Sequence, residues 1–130
     1  MKYNVGGIVL NDKKLLVVRK KNTLGECILP GGKRIERESD LDTLKREFLE
    51  ELSVNVKSYS FFGSYDHMEI FSDKMFHMEA YFVEIDGLIE CDNEIKEFLW
   101  IDRKYKENGI SVSHMLEDNI IPELIKRGLF

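Results

Sequence analysis

The stretch between residues 32 and 54 constrains this chain more than any other part of it. Leu41, Leu44, Phe48 and Leu52 recur at helical spacing, which predicts an amphipathic helix over Asp40–Leu52 with those side chains on its buried stripe. Ser39 is placed to cap that helix, with Asp42 as the reciprocal partner in a capping-box variant. Glu47, Glu50 and Glu51 fall off the apolar stripe and share one flank, because positions three and four apart are neighbours on a helix. Such carboxylates repel one another by about a few tenths of a kcal/mol per pair in water, and more where water is excluded. A divalent cation reverses the sign of that interaction, since hard cations prefer clustered carboxylate oxygens. A solvated acidic face would carry the same glutamates, with Arg46 pairing to Glu50 one turn on, so charge alone does not separate the two readings.

The surroundings of the helix do separate them. Pro30-Gly31-Gly32 stops an apolar run just ahead of it, and glycine permits the tight turn and close backbone approach that such a junction needs. Glu38 stands six residues after Gly32, Arg46-Glu47 follows after seven intervening residues, and then come Phe48, Glu50-Glu51 and Val54. A chance match of this quality in a chain of this composition is on the order of one in 10⁵. In this spacing the chain resembles the Nudix box, G-x5-E-x7-R-E-U-x-E-E-x-G-U with U apolar. Ser53 stands where the family carries glycine, and every other fixed position matches. A left-handed residue is common just past a helix end, where Ser53 should cost on the order of 1 kcal/mol. Arg37 also replaces the glycine that many members carry before the first box glutamate.

The resemblance implies a residue-by-residue assignment. Glu47, Glu50 and Glu51 correspond to glutamates that bind catalytic divalent ions, Mg²⁺ with Mn²⁺ as an alternative, and the carbonyl of Gly31 corresponds to one that often joins them. Arg46 corresponds to an arginine that orients the cluster and pairs with the glutamate at Glu38. Glu50 or Glu51 is the expected general base. Glu94, six residues before Trp100, is placed like the loop acid that reaches the metal site in MutT-type members. Arg19, at a strand end, is placed like a phosphate-contacting arginine, and Gly32, Lys33 and His77 complete the expected substrate-binding set. His67 and His114 show no zinc spacing and read as structural or exposed. Tyr3, Phe61, Phe62, Tyr65, Phe76, Tyr81 and Phe82 are aromatic enough to stack a base, although alternating strand aromatics mostly pack inward.

The order of elements fits the same class of fold: an α+β, α-β-α sandwich with a mixed central sheet flanked by helices, in one domain spanning residues 1–130. Residues 6–10 and 15–19 read as strands joined by a turn at Asn11-Asp12-Lys13, and residues 24–30 hold a short strand. Strands follow at residues 59–65, 75–85 and 97–101, then a helical segment at 113–126 that Pro122 should kink or restart.

The net charge of −5, with no dense basic patch, argues against a nucleic-acid polymer or an anionic membrane as partner. A small nucleotide substrate is compatible with it, because metal ions bridge acidic side chains to phosphate. Cys27 and Cys91, far apart and outside any C-x-x-C pair, read as reduced thiols of a cytoplasmic protein. No segment specifies an oligomeric state; a homodimer is common among the proteins this chain resembles.

Substrate choice in that family rests mostly outside the box. The proline of ADP-ribose hydrolases would fall at Met68, and the tyrosine of dinucleoside polyphosphate hydrolases near residues 69–71; both are missing. What remains resembles a compact MutT-type nucleoside triphosphate pyrophosphohydrolase, releasing a monophosphate and pyrophosphate. An ADP-ribose or other nucleotide-derivative pyrophosphatase, or a non-catalytic nucleotide sensor, is the alternative.

Overall fold

In the computed structural model, which describes residues 2–21, 25–68 and 74–130, the elements run β1 (Lys2–Ile8), β2 (Leu10–Asn11), β3 (Lys14–Lys20), β4 (Gly31–Lys33), α1 (Asp40–Leu52), β5 (Asn55–Met68), β6 (Met75–Asp86) and β7 (Ile95–Ile101). A π-helical turn (Leu116–Ile120) then leads into α2 (Ile121–Lys126). Leu24 and residues 69–71, on which two sequence readings fall, lie outside the described residues.

The unbroken apolar run of β3 explains the layering. Leu15 and Val17 enter one core with Ile8, Ala80, Leu116 and Leu124, whereas Leu16 and Val18 enter another with Val5, Phe48 and Leu52. A strand buried on both faces needs apolar residues at every position, and helices on opposite faces supply the cover. The result is the expected α-β-α sandwich. Its strands divide into a sheet of order β4-β1-β6-β5 and one of order β2-β3-β7 rather than a single sheet. β1 and β6 run parallel, so the larger sheet is mixed.

Several boundaries differ from the sequence reading. The first strand starts at Lys2, because pairing with β4 on one side and β6 on the other orders its polar beginning. The hairpin lies between β2 and β3, where Asp12 and Lys13 both take positive φ, as the preferred two-residue turn requires. Residues 25–30 do not form a strand: Cys27 and Ile28 make only isolated bridges, and the strand proper is β4. Pro122 sits in the first turn of α2, directly after the π-helical turn; that wider turn absorbs the misfit of a residue without an N–H.

α1 keeps its expected bounds. The Ser39 hydroxyl accepts from the Asp42 amide at 3.1 Å, and the Asp42 carboxylate accepts from the Ser39 amide at 3.1 Å. Leu44, Phe48 and Leu52 are fully buried, and Leu41 is half-buried. At the other end Ser53 is left-handed, with φ 58° and ψ 32°. Ser53→Gly should therefore raise stability by about 0.5–1 kcal/mol, read as a higher urea midpoint at unchanged slope. A lower midpoint would mean that the serine conformation is not the strained one. Among the described residues, no helix is long and apolar enough to cross a membrane.

Candidate active site

Two glycines let backbone lie directly under the carboxylates of α1. Gly31 has φ 140°, and a Cβ there would sit 2.1 Å from the Val5 carbonyl oxygen, so only glycine allows β4 this close to β1. Its amide donates to Glu51 Oε1 at 3.0 Å. A Cβ on Gly32 would lie 2.6 Å from the Glu47 carboxylate, so the second glycine makes room for that side chain. Glu51 is only 5% exposed, and burial pushes its carboxyl up to about 7, against the pull of the Gly31 amide and with a further push from the Glu47 charge. Burial also raises Glu47, while Arg46 opposes the shift.

Arg46 ties this flank together. Its Nε and Nη2 donate to the two oxygens of Glu38 at 2.6 and 3.0 Å, Nη2 also to the Lys33 carbonyl at 3.0 Å, and Nη1 to Glu47 Oε1 at 2.8 Å. A longer contact of 3.4 Å reaches Glu50. Glu38 accepts further from the Ile35 amide and the Thr43 hydroxyl, each at 3.0 Å. Chiefly because of Arg46, its carboxyl is held down to about 2.

The segment before β7 closes the other end of α1. The amides of Glu90 and Asp92 donate to the carbonyls of Leu52 and Glu51 at 2.9 and 3.0 Å, and Asn93 Nδ2 donates to the Glu50 carbonyl at 2.9 Å. Carbonyls of the last turn have no partner inside their own helix, so this loop acts as its cap. Glu94 follows at once, largely exposed, with its carboxylate 3.9 Å from Lys20 Nζ.

The structure thus brings Gly31, Gly32, Lys33, Glu38, Arg46, Glu47, Glu50 and Glu51 together, with Glu94 at the margin beside Lys20. Two of the sequence candidates lie elsewhere. Arg19 projects from the face of β3 opposite Leu16 and Val18, and donates to Glu97 Oε1 and the Gly25 carbonyl, both at 2.7 Å. His77 bonds to Asp66 at 2.7 Å and Glu79 at 2.5 Å and packs beside Tyr3, whose ring lies in the α1 core. The cavity beside the carboxylates, about 610 Å³, is lined instead by Lys20, Gly31 and Gly32 at one end and by Asn4, Phe76 and Met78 further in. His67 and His114 line it as well, so the histidines that face the cavity are not the one singled out from sequence. Strand parity accounts for the place of His77: on β6 the side chains of Phe76, Met78 and Ala80 belong to the α2 core, and those between them to the other face.

Among the described residues, no group of three His, Cys, Asp or Glu side chains is closed around one point. Arg46 draws Glu47 and Glu50 to itself, while the Gly31 amide holds Glu51. The donor set nevertheless suits a hard divalent ion. It is all oxygen and partly desolvated, and the charge of Glu47 raises Glu51 while that of Glu50 raises Glu47, a cost of ionisation that added positive charge would relieve.

Residues 2–105 match the NUDIX domain family. The chain belongs to that family and is a Nudix hydrolase, an enzyme acting on pyrophosphate bonds of nucleotide derivatives; such hydrolases generally use divalent metal ions. Solved structures agree in fold. A Nudix hydrolase from Nitrosomonas europaea superposes with a TM-score of 0.78 at 17% identity, covering 92% of this chain and 85% of its own. A MutT protein from Methanosarcina mazei Go1 gives 0.75 at 19% identity, over 90% of this chain and 88% of its own. A MutT NUDIX hydrolase from Burkholderia pseudomallei gives 0.71 at 20% identity, over 77% and 81%. No curated protein matches the chain in sequence.

Proposed function

We propose that this Nudix hydrolase, acting as one catalytic unit in the cytoplasm, cleaves nucleoside triphosphates to a monophosphate and pyrophosphate with Mg²⁺, or Mn²⁺ in its place. The observation that carries this reading is the continuity of the cavity, which joins Lys20, Gly31 and Gly32, beside the carboxylates, to an apolar chamber lined by Leu29, Phe76, Met78 and Leu116. A volume of about 610 Å³ suits a small-molecule ligand, and the arrangement suits one with an ionic end and a flat apolar end. Free Cys27 and Cys91 favour a reducing compartment.

Glu47, Glu50, Glu51 and the Gly31 carbonyl would hold the metal, with Glu94 approaching from the loop. When bound, such an ion offsets the charge of the phosphate chain and lowers the pKa of nearby water. Lys20, rather than Arg19, faces the phosphates. Glu50 or Glu51 would take the proton of the attacking water, since both carboxylates lie on the flank that would hold the ion. The oxygen of the deprotonated water attacks phosphorus, the P–O–P bridge breaks, and pyrophosphate leaves. Arg46 and Glu38 hold Glu47 and the Lys33 carbonyl in place.

The test is product analysis with nucleoside triphosphates, oxidised triphosphates, ADP-ribose, dinucleoside polyphosphates and nucleotide sugars, each with Mg²⁺ and with Mn²⁺. Pyrophosphate released from triphosphates at the highest kcat/KM is the expected result. Preferred turnover of ADP-ribose or a nucleotide sugar would replace the substrate assignment, and metal-dependent binding without turnover of anything would replace the catalytic one.

A further inference from the structure

We infer that Asn4 determines base specificity in this enzyme, a role that rests on the nucleotide reading of the cavity. β1 turns Tyr3 and Val5 towards the α1 core, whereas Asn4 lines the cavity on the opposite face. Its main chain is in register with Lys33 of β4 on one side and Met78 of β6 on the other, so its position is set by two neighbouring strands. The carboxamide is half-buried and makes no hydrogen bond to any described residue. Phe76, Met78 and Leu29 on the same wall offer it no strong partner. His67, a polar group that also lines the cavity, is bonded to Asn119 at 2.8 Å.

A partly desolvated amide without a partner is costly, and a ligand in the cavity removes the cost. The carboxamide presents two donors and an acceptor side by side. Its chemical complement is the edge of a nucleobase bearing a donor next to an acceptor, the pairing by which Asn reads the N6 and N7 positions of adenine. A carbonyl next to a ring N–H, as in guanine and hypoxanthine, offers the same pair in reverse order. A purine without an exocyclic group offers neither. Asn4 therefore favours purines with an exocyclic amino or oxo group over unsubstituted purine.

Calorimetric binding of nucleoside monophosphates tests this without turnover. The wild type should bind adenosine, guanosine or inosine monophosphate at least roughly ten-fold more tightly than purine riboside monophosphate, the scale of one bidentate contact. Asn4→Leu, which keeps the same branched heavy-atom skeleton and suits the apolar wall, should bind all four alike while keeping a normal thermal transition. If triphosphates turn over, its losses should appear as base-dependent changes in kcat/KM. An Asn4→Leu protein that keeps the wild-type preference overturns the role of Asn4 and leaves the nucleotide reading standing. Failure of the wild type to bind any of the four overturns both.

Discussion

Glu51→Gln should abolish measurable turnover and yet give a protein that is more stable than the wild type in metal-free buffer at pH 8. Glutamine keeps an oxygen to accept from the Gly31 amide, a bond of 3.0 Å in the wild type, so the local geometry survives. The ionisable proton is what disappears. The Glu51 carboxyl is raised from 4.5 to about 7, chiefly by burial. Between those values the folded chain binds more protons than the unfolded one, so wild-type stability falls as pH rises from about 4.5 to about 7. Above that window the buried charge costs about 3 kcal/mol. Glutamine escapes the cost, so urea unfolding with chelator present should show a gap that opens between pH 5 and pH 8. A gap that stays constant across that range would show that Glu51 is not the buried, raised carboxyl described here. Near-normal turnover would remove it from the catalytic set.

Arg46→Ala is expected to lose both stability and activity. The change leaves Glu38 and Glu47 without their cation and the Lys33 carbonyl without one of its donors. Removing one member of this partly buried ion pair costs roughly 1–3 kcal/mol, since water recovers part of the loss at the exposed side. The Glu38 carboxyl, lowered to about 2 in the wild type, supports the fold above its unfolded value of 4.5, and that support is lost as pH falls towards about 2. Stabilities of wild type and variant should therefore converge on acidification through that window. Displacement of Glu47 should lower kcat by roughly a hundred-fold, the penalty typical of a small misplacement of catalytic groups. Arg46→Lys should recover only a small part, because a point charge cannot bridge Glu38, Glu47 and a carbonyl at once. Equal performance of lysine and arginine would show that charge, not the forked geometry, is what matters.

What was legible in the sequence was local. The capping box at Ser39 and Asp42, the buried stripe through Leu44, Phe48 and Leu52, and the acidic flank of α1 all depend on spacings within a few residues. What was hidden depended on register between distant strands. Arg19 and Lys20 are consecutive cations at a strand end, and a register shift between β3 and β7 falls between them. Parity then sends one to Glu97 and the other towards the carboxylates, a distinction that composition does not carry. His77 stands in the strand that lines the cavity, but its neighbours Phe76 and Met78 have the parity that faces it. β4 escaped notice because two glycines have no strand propensity of their own; pairing with β1 makes them one.

The loop that caps α1 also dates the assembly of the site. Its amides at Glu90 and Asp92 reach back to carbonyls of Leu52 and Glu51 across the whole β5–β6 hairpin. Contacts that close so long a stretch of chain wait for the intervening hairpin, since loop-closure entropy must be met before they contribute. The first turns of α1 rest on the local Ser39 cap and can form early, whereas the carbonyls of Glu50, Glu51 and Leu52 gain these partners only when the hairpin is in place. Amide exchange at Glu90 and Asp92 accordingly follows the opening of that last turn, which makes these two protons clocks for the moment at which the carboxylate flank comes into being.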